Sequence, residues 1–176
     1  MKATGVIRRI DDLGRVVVPK EIRKTMRIKE GEPLEFYTEG DNLILKKYSA
    51  VGALGSLAKT VTESLNQITD YTAVVCDLDG VLSAKGTGSR EYEGKNISHE
   101  MLKSLKGRKT LILNGDDGKI SLVPGGEKWY SGQIIMPSIA FGDLVGGIVL
   151  LSRHGEMDGK TVSIAAFCAD FIARQL

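Results

Sequence analysis

The first 48 residues alternate short apolar runs with turn residues and form no long periodic segment. The turn DDLG separates two of these runs, and Gly14 can take the positive φ that such a turn requires. Pro19 cannot donate to a strand ladder but suits the first turn of a helix, which KEGEP then ends. EGDN is a hairpin signal between two later runs. The pattern predicts strand, strand, helix, strand, strand over residues 6–10, 15–18, about 19–26, 34–38 and 43–48.

The rest of the chain follows a different pattern. Residues 51–68 place apolar side chains at helical spacing, and positions 54, 61 and 68 also step by seven, so either a coiled coil or a helix packed on the next domain is consistent. Beyond residue 70 the pattern predicts an antiparallel sheet with helices at both ends, an α+β sandwich. Its predicted elements are a hairpin around DLDG, a helix over 97–105, strands over 110–114 and 119–123 around GDDG, a hairpin over 131–153 with FGD at its turn, and a helix over 159–176.

We therefore divide the chain into an N-terminal domain over 1–50, a linker helix over 51–70 and an α+β domain over 71–176. The N-terminal domain has few large apolar side chains and no disulfide or metal site, and domains of this size bury little surface on folding. We expect two copies of the chain to share one core there. Cys76 and Cys168 form no C-x-x-C pair, which argues against a disulfide framework and a zinc site.

Charge is distributed unevenly, although the net charge is only +2. Residues 1–29 carry nine Lys and Arg against three acids, whereas residues 30–48 have a balance of −3 and residues 49–176 a balance of −1. Because a dense cation cluster repels itself, it predicts a polyanionic partner for the N-terminus. The start of the chain has no secretory signal, and the longest apolar run, LVGGIVLL, is too short to span a bilayer. These features predict a cytoplasmic protein without a membrane partner.

The basic strand–proline–helix element carries the motif D-x-x-G-R-V-V-x-P-K-E-I-R over residues 11–23. With this motif, residues 1–48 resemble the SpoVT/AbrB-type swapped-hairpin DNA-binding domain of bacterial transition-state and sporulation regulators. The resemblance implies a dimer in which strand pairs of two chains interlock into one barrel that binds double-stranded DNA. The two-domain length is similar to family members with a C-terminal GAF domain, for oligomerisation or small-molecule sensing. The resemblance thus implies a DNA-binding transcriptional regulator of sporulation genes.

The same resemblance assigns the DNA contacts to Arg8, Arg15, Arg23 and Lys24. The family often has arginine at the last of these positions, and Lys24 keeps the charge without the bidentate geometry. The alternative interpretation is a solvated face in which nearby acids neutralise the cations, but three acids cannot balance nine basic residues. Three flanking residues are expected to contact phosphates: Lys2, Arg9 and Lys20.

Two other functions are consistent with parts of the sequence. Asp77 and Asp79 in VVCDLDGVLS have the D-x-D spacing of haloacid-dehalogenase-type phosphatases, in which an aspartate attacks phosphate beside magnesium. Those enzymes need further motifs on later strands of a parallel sheet, and Asp and Gly equally suit a hairpin turn. Related hairpin domains also serve as antitoxin-like partner-binding modules, although the long C-terminal domain argues against that role. We therefore do not expect an enzyme.

No cofactor or metal site is predicted. His99 and His154, the only histidines, are far apart in the sequence. GAF domains elsewhere bind cyclic nucleotides, haem, tetrapyrroles or branched-chain amino acids, so the resemblance allows an unidentified small-molecule effector. Trp129 and Tyr130 are consistent with either a pocket lid or a loop anchor, and we expect the loop anchor. The assembly is expected to be a homodimer or a homotetramer, associated with the nucleoid in the cytoplasm.

Overall fold

The computed structural model describes residues 4–48, 55–115, 118–154 and 157–175. The chain divides into two compact units, Met1–Tyr48 and Ser49–Leu176. The first contains a short helix and a two-stranded sheet, and the second contains a five-stranded antiparallel sheet with helices. No helix within the described ranges is long and apolar enough to cross a membrane. Helices combined with antiparallel sheets confirm the α+β class.

The first unit forms helix α1 (Lys20–Thr25) and the hairpin strands β1 (Leu34–Glu39) and β2 (Asn42–Lys47). The two strands pair in antiparallel register around the predicted EGDN turn. The strands predicted over 6–10 and 15–18 are wrong for the single chain, because neither segment belongs to a sheet. A strand exists only through hydrogen bonds to a neighbour, and no described segment of this chain supplies them.

The second unit is built on one antiparallel sheet with strand order β4-β3-β7-β6-β5. Both predicted hairpins are present, around DLDG and FGD, and at the second turn Phe141 and Gly142 take φ of 50° and 87°. Positive φ at both central residues matches the twist of the flanking strands. The elements are α2 (Gly55–Thr69), β3 (Thr72–Cys76), β4 (Val81–Lys85), a 3-10 turn (Ser89–Glu91), α3 (His99–Lys106), β5 (Leu111–Asn114), β6 (Gly132–Ala140), β7 (Asp143–Ser152) and α4 (Gly159–Ala173).

A separate hydrophobic core covers each face of this sheet. Successive strand residues point to opposite faces, so Ile134 and Ile135 lie in different cores. Helices α2 and α4 cover one face, where Leu65 and Ala165 are fully buried. Helix α3 covers the other face, where Leu105 is fully buried. The buried side chains of α2 recur every three or four residues, which explains why the sequence pattern predicted that helix.

Two predicted elements of the second unit differ from the structure. Residues 119–123 form no strand, because the side chain of Gln133 bonds the backbone of Ile120: Oε1 accepts from its N–H and Nε2 donates to its carbonyl, both at 2.9 Å. Helix α3 begins at His99 because the Ser98 hydroxyl caps it, accepting from the N–H of Met101 at 2.9 Å. Position 54 and residues 116–117 of the GDDG turn lie outside the described residues.

The loop before β6 is anchored by its two aromatic residues, as predicted. Trp129 Nε1 donates to the hydroxyl of Tyr92 at 2.9 Å, and the Tyr130 hydroxyl donates to the carbonyl of Ile120 at 2.7 Å. Tyr92 and Tyr130 are both almost fully buried. The polar end of each ring therefore has a partner while its apolar part fills the core under α3.

Candidate nucleic-acid interface

Asp11 organises the turn that precedes α1. Its Oδ1 accepts hydrogen bonds from the N–H of Leu13 at 3.1 Å and of Arg15 at 2.8 Å. The N–H of Asp11 donates to the carbonyl of Arg15 at 3.1 Å, and Gly14 takes a φ of 75°. An aspartate that bonds the backbone ahead of it is a typical turn former. The turn therefore fixes the backbone position of Arg15.

The same carboxylate also holds the side chain of Arg15. Arg15 Nε donates to Asp11 Oδ2 at 2.8 Å, while the two side chains remain 69% and 37% exposed. Hydrogen bonds from the backbone and then the side chain of Arg15 hold the pKa of Asp11 below its ordinary value. The terminal nitrogens of the Arg15 guanidinium make no hydrogen bond within the described residues. They are available to an anion.

Helix α1 carries Arg23 and Lys24 in its last turn, and both side chains are exposed. Pro19 precedes the helix with a φ of −59°, a value already suited to helical entry. Cations near a helix C-terminus interact favourably with the negative end of the helix dipole. The two residues therefore place positive charge on the surface at positions where that charge also stabilises the helix.

The end of α1 is fixed by a residue with left-handed backbone. Arg27 takes a φ of 54°, its N–H donates to the carbonyl of Lys24 at 3.2 Å, and the N–H of Ile28 donates to the carbonyl of Arg23 at 2.8 Å. This pair of bonds is the Schellman arrangement, in which glycine or asparagine usually occupies the left-handed position. Because the sequence has neither at residue 27, no sequence signal predicted this cap. The cap holds the backbone of Arg23 and Lys24 in place.

The structure places the four predicted contact residues on three local features. Arg15 lies at the turn, Arg23 and Lys24 lie on α1, and Arg8 lies in the segment before the turn, where its Nη1 donates to the carbonyl of Ile7 at 3.3 Å. Within residues 4–48, no hydrogen bond or ion pair joins Arg8 to the other three. Of the flanking cations, Arg9 and Lys20 are exposed, and Lys2 lies outside the described residues.

The first unit buries almost none of its side chains. Pro19 is the one buried residue among residues 4–48. Large apolar side chains are exposed instead, including Ile7 at 88%, Val17 at 71% and Phe36 at 64%. Burying one such side chain fully contributes about 1.5–3 kcal/mol, and exposed apolar patches of this kind mark association surfaces. Residues 4–48 of one chain thus form no hydrophobic core of their own, which agrees with the small number of large apolar residues in this part of the sequence.

The D-x-D motif lies in the turn between β3 and β4. Asp77 Oδ1 accepts from the N–H of Asp79 at 2.8 Å and from the N–H of Gly80 at 2.7 Å. The Asp77 N–H in turn donates to the carbonyl of Gly80 at 3.0 Å. The carboxylate of Asp77 thus stabilises a hairpin turn, which is the alternative to a phosphatase motif that the sequence offered. The described residues contain no group of three or more His, Cys, Asp and Glu side chains that could hold a metal ion.

Sequence reasoning missed two features that bear on charge. Asp11 was counted as a neutralising acid, whereas it positions Arg15, and the signal was the D-x-x-G-R spacing itself. The second feature is the stretch KSLKGRK over 103–109, with four basic residues and no acid. Summing charge over residues 49–176 gave −1 and concealed this local cluster.

Comparison with known proteins establishes the relationship of the whole chain. A family model described as "Stage V sporulation protein T C-terminal, transcription factor" matches residues 53–176. Stage V sporulation protein T of Bacillus subtilis (strain 168) is 41% identical over 180 residues, covering 100% of this chain and 99% of the relative. The chain belongs to the stage V sporulation protein T family of transcription factors.

The first unit of this stage V sporulation protein T family member has its own relatives. Residues 7–52 match a family model described as "Antidote-toxin recognition MazE, bacterial antitoxin". The transition state regulatory protein AbrB of Bacillus subtilis (strain 168) is 52% identical over 48 residues, covering 27% of this chain and 50% of the relative. These matches confirm the SpoVT/AbrB-type assignment that was based on the motif over 11–23.

The second unit of this family member is similar to GAF domains of known structure. The GAF domain from an Acinetobacter phosphoenolpyruvate-protein phosphotransferase has a TM-score of 0.59 and 10% sequence identity, covering 73% of this chain and 82% of that chain. At this identity the likeness concerns the fold alone. It confirms the predicted GAF-like sheet flanked by helices.

Proposed function

We propose that this chain binds double-stranded DNA through Arg8, Arg15, Arg23 and Lys24 and thereby regulates sporulation genes in the cytoplasm, at the nucleoid. Membership of a transcription factor family supports the regulatory role. The single observation that carries the proposed surface is the excess of exposed cations over acids in residues 4–29. Phosphate contacts supply most of the affinity, and arginines that reach base edges add sequence preference.

Arg15 is the best positioned of the four residues. Asp11 bonds both its backbone and its Nε atom, so part of the side-chain entropy of Arg15 is already lost before an anion binds. The Asp11 carboxylate occupies only the Nε side of the guanidinium. Two oxygens of a phosphate group, or the O6 and N7 atoms of a guanine, can still accept two parallel hydrogen bonds from the terminal nitrogens.

Two copies of the chain form the DNA-binding module in this proposal. The exposed apolar side chains of residues 4–48 supply the surface that a second copy covers, and most of them belong to the segments predicted as strands. Pairing of residues 6–10 and 15–18 with a second chain would satisfy their backbone groups as well. Two-fold symmetry then doubles the four cationic contacts, as in other dimeric DNA-binding proteins.

The second unit brings two such dimers together into a tetramer. Phe167 and Phe171 stack on the outer face of α4 with ring centroids 6.2 Å apart, and they are 71% and 39% exposed. Ile68 at the end of α2 is also exposed, at 65%. Exposed aromatic pairs on a helix are typical of subunit interfaces. A small-molecule effector would act by binding one arrangement of subunits better than another.

The DNA-binding surface is tested with single alanine variants of the full chain. Binding to a labelled duplex recovered from genomic fragments by the wild-type protein is measured by fluorescence anisotropy. Arg15→Ala and Arg23→Ala should each weaken binding at least about tenfold, since each removes a charge-assisted contact from both copies. Arg153→Ala is the matched control, because it removes the same exposed side chain from the second unit.

Circular dichroism and thermal melting of each variant show whether the fold is retained. Wild-type affinity of both first-unit variants would refute the proposed surface. Equal weakening by Arg153→Ala would show a general charge effect instead of a located site.

A further inference from the structure

Strand β5 forms one edge of the five-stranded sheet and pairs with β6 alone among the described strands. Gly115 continues its register, and the Gly115 N–H donates to the carbonyl of Ser131 at 3.1 Å. In an antiparallel ladder, hydrogen-bonded pairs alternate with non-hydrogen-bonded pairs. Leu111 and Leu113 therefore exchange hydrogen bonds with β6. The N–H and carbonyl of Ile112 point to the open edge.

This edge lacks three of the usual protections against strand addition, although the strand is short, at four residues. Natural proteins place charges, prolines or bulges on edge strands to prevent further pairing. Strand β5 has the sequence LILN, with no charge and no proline, and its register with β6 has no bulge. The Ile112 side chain is 48% exposed. Asn114 at the end of β5 already holds the segment before α4, because its Oδ1 accepts from the N–H of Met157 at 2.9 Å. An extended segment can therefore pair with β5 at Ile112.

A groove runs between this edge and helix α3. Its volume is about 430 Å³, and Leu111 and Ile120 contribute its apolar lining. The helix side is formed by one face of α3 and by the residue that follows its end, and it includes Lys103, Ser104 and Gly107. The side chains of a segment paired with β5 would alternate between this groove and solvent.

The groove has a basic side. Two exposed cations line it, Lys103 and Lys109, and two more exposed cations, Lys106 and Arg108, lie between them in the sequence. None of them pairs with a carboxylate in the part of the chain that the structure describes. Arg108 Nη1 donates to the carbonyl of Gly142 at 2.8 Å, which ties the loop before β5 to the β6–β7 turn. Glu100 is the one acidic residue among the described residues that line the groove.

We propose that the β5 edge and its basic groove bind an extended acidic peptide segment of a partner protein by strand addition. The open backbone of Ile112 supplies main-chain hydrogen bonds, the groove accepts apolar side chains, and the cations select acidic ones. A nucleic acid would use the cations but neither the strand edge nor the apolar floor. This inference does not depend on the DNA-binding surface of the first unit.

The test uses the full chain and a fluorescein-labelled ten-residue peptide of alternating Glu and Val. A peptide of alternating Lys and Val is the charge control, and an acidic peptide with every backbone nitrogen methylated is the hydrogen-bond control. Fluorescence anisotropy should show saturable binding of the acidic peptide only. A basic peptide that binds equally well, or a methylated peptide that binds equally well, overturns the proposal.

Variants locate the site on β5. Ile112→Pro removes an N–H that makes no ladder bond, so the sheet should survive while peptide affinity falls at least about tenfold. Ile112→Val keeps the N–H and should bind within about twofold of wild type, and Lys109→Glu should weaken binding about tenfold. Unchanged peptide affinity of a folded Ile112→Pro variant overturns the proposal, and if that variant fails to fold, Lys109→Glu and the methylated peptide decide.

Two other outcomes assign the surface elsewhere. If the acidic peptide does not bind and Lys109→Glu weakens binding to a DNA duplex, the cluster contacts nucleic acid and the proposal is overturned. If Ile112→Pro lowers the sedimentation coefficient of the free protein, a second copy of the chain occupies the edge, and the proposal is equally overturned.

Discussion

The salt dependence of DNA binding gives the sharpest measure of the proposed first-unit surface. On a duplex long enough for one dimeric DNA-binding module, four cations from each of its two copies make eight contacts, and each phosphate neutralised contributes about −0.9 to the slope of log affinity against log salt. The expected slope is therefore about −7, which corresponds to a loss of about 10⁴ in affinity between about 50 and 200 mM salt. Arg23→Ala removes two contacts from the dimer and should change the slope to about −5.

The assay is fluorescence anisotropy of a labelled duplex across a series of potassium chloride concentrations, with the full chain. Arg23→Lys keeps the charge and should keep the slope, while it lowers the preference for the selected duplex because the bidentate geometry is lost. Arg153→Ala should give a line parallel to that of the wild-type protein. A slope near −2 for the wild-type protein, or an Arg23→Ala line parallel to the wild-type line, would refute the eight-contact reasoning.

Four further predictions follow from particular contacts. Asp11→Asn should lower the preference for the selected duplex over a random duplex, because Arg15 loses the carboxylate that positions it while the change in net charge acts on both duplexes alike; an unchanged ratio of the two affinities would count against that role. Phe171→Asp should reduce the mass measured by sedimentation equilibrium, and retention of the wild-type mass would exclude α4 as an interface. Leu65→Ala should lower the free energy of unfolding by about 2–5 kcal/mol in urea titrations, and a loss under about 1 kcal/mol would contradict its place in the core. Burial raises the pKa of the Cys76 thiol to about 12, so iodoacetamide at pH 8 should modify the half-buried Cys168 before Cys76. Equal modification rates of the two cysteines in mass spectrometry would contradict this order.

The sequence predicted elements whose signals are local. Pro19 and the following basic residues located α1, and EGDN, DLDG and FGD located three hairpins that the structure contains. The sequence pattern predicted the wrong element where a side chain takes the place of a neighbouring strand. Gln133 bonds the backbone of Ile120 and removes the need for a strand over 119–123, and no periodicity reports such a bond. The strands over 6–10 and 15–18 have the right composition but lack partners within one chain.

The candidate site was predictable in its residue types and less so in its geometry. The motif over 11–23 identified Arg15 and Arg23 as members of the basic surface. The motif did not indicate that the Asp11 carboxylate accepts a hydrogen bond from the Arg15 side chain. Nor did it indicate that α1 ends at Arg27 in a left-handed backbone conformation. Both features depend on local dihedral angles. The basic cluster over 103–109 is visible in the sequence only when charge is summed over a window of a few residues.

The scarcity of buried side chains in residues 4–48 has a consequence for how the cell would set the activity of this protein. In the dimer proposed above, the module forms its core only between two chains, so its stability would depend on the concentration of the protein. While the paired form is the minority, a doubling of expression raises its amount about fourfold by mass action. Unpaired chains expose extended apolar segments that proteases cleave readily. Expression level and degradation rate would therefore control how much DNA is occupied. Occupancy would rise more steeply than in proportion to the protein concentration, without any ligand.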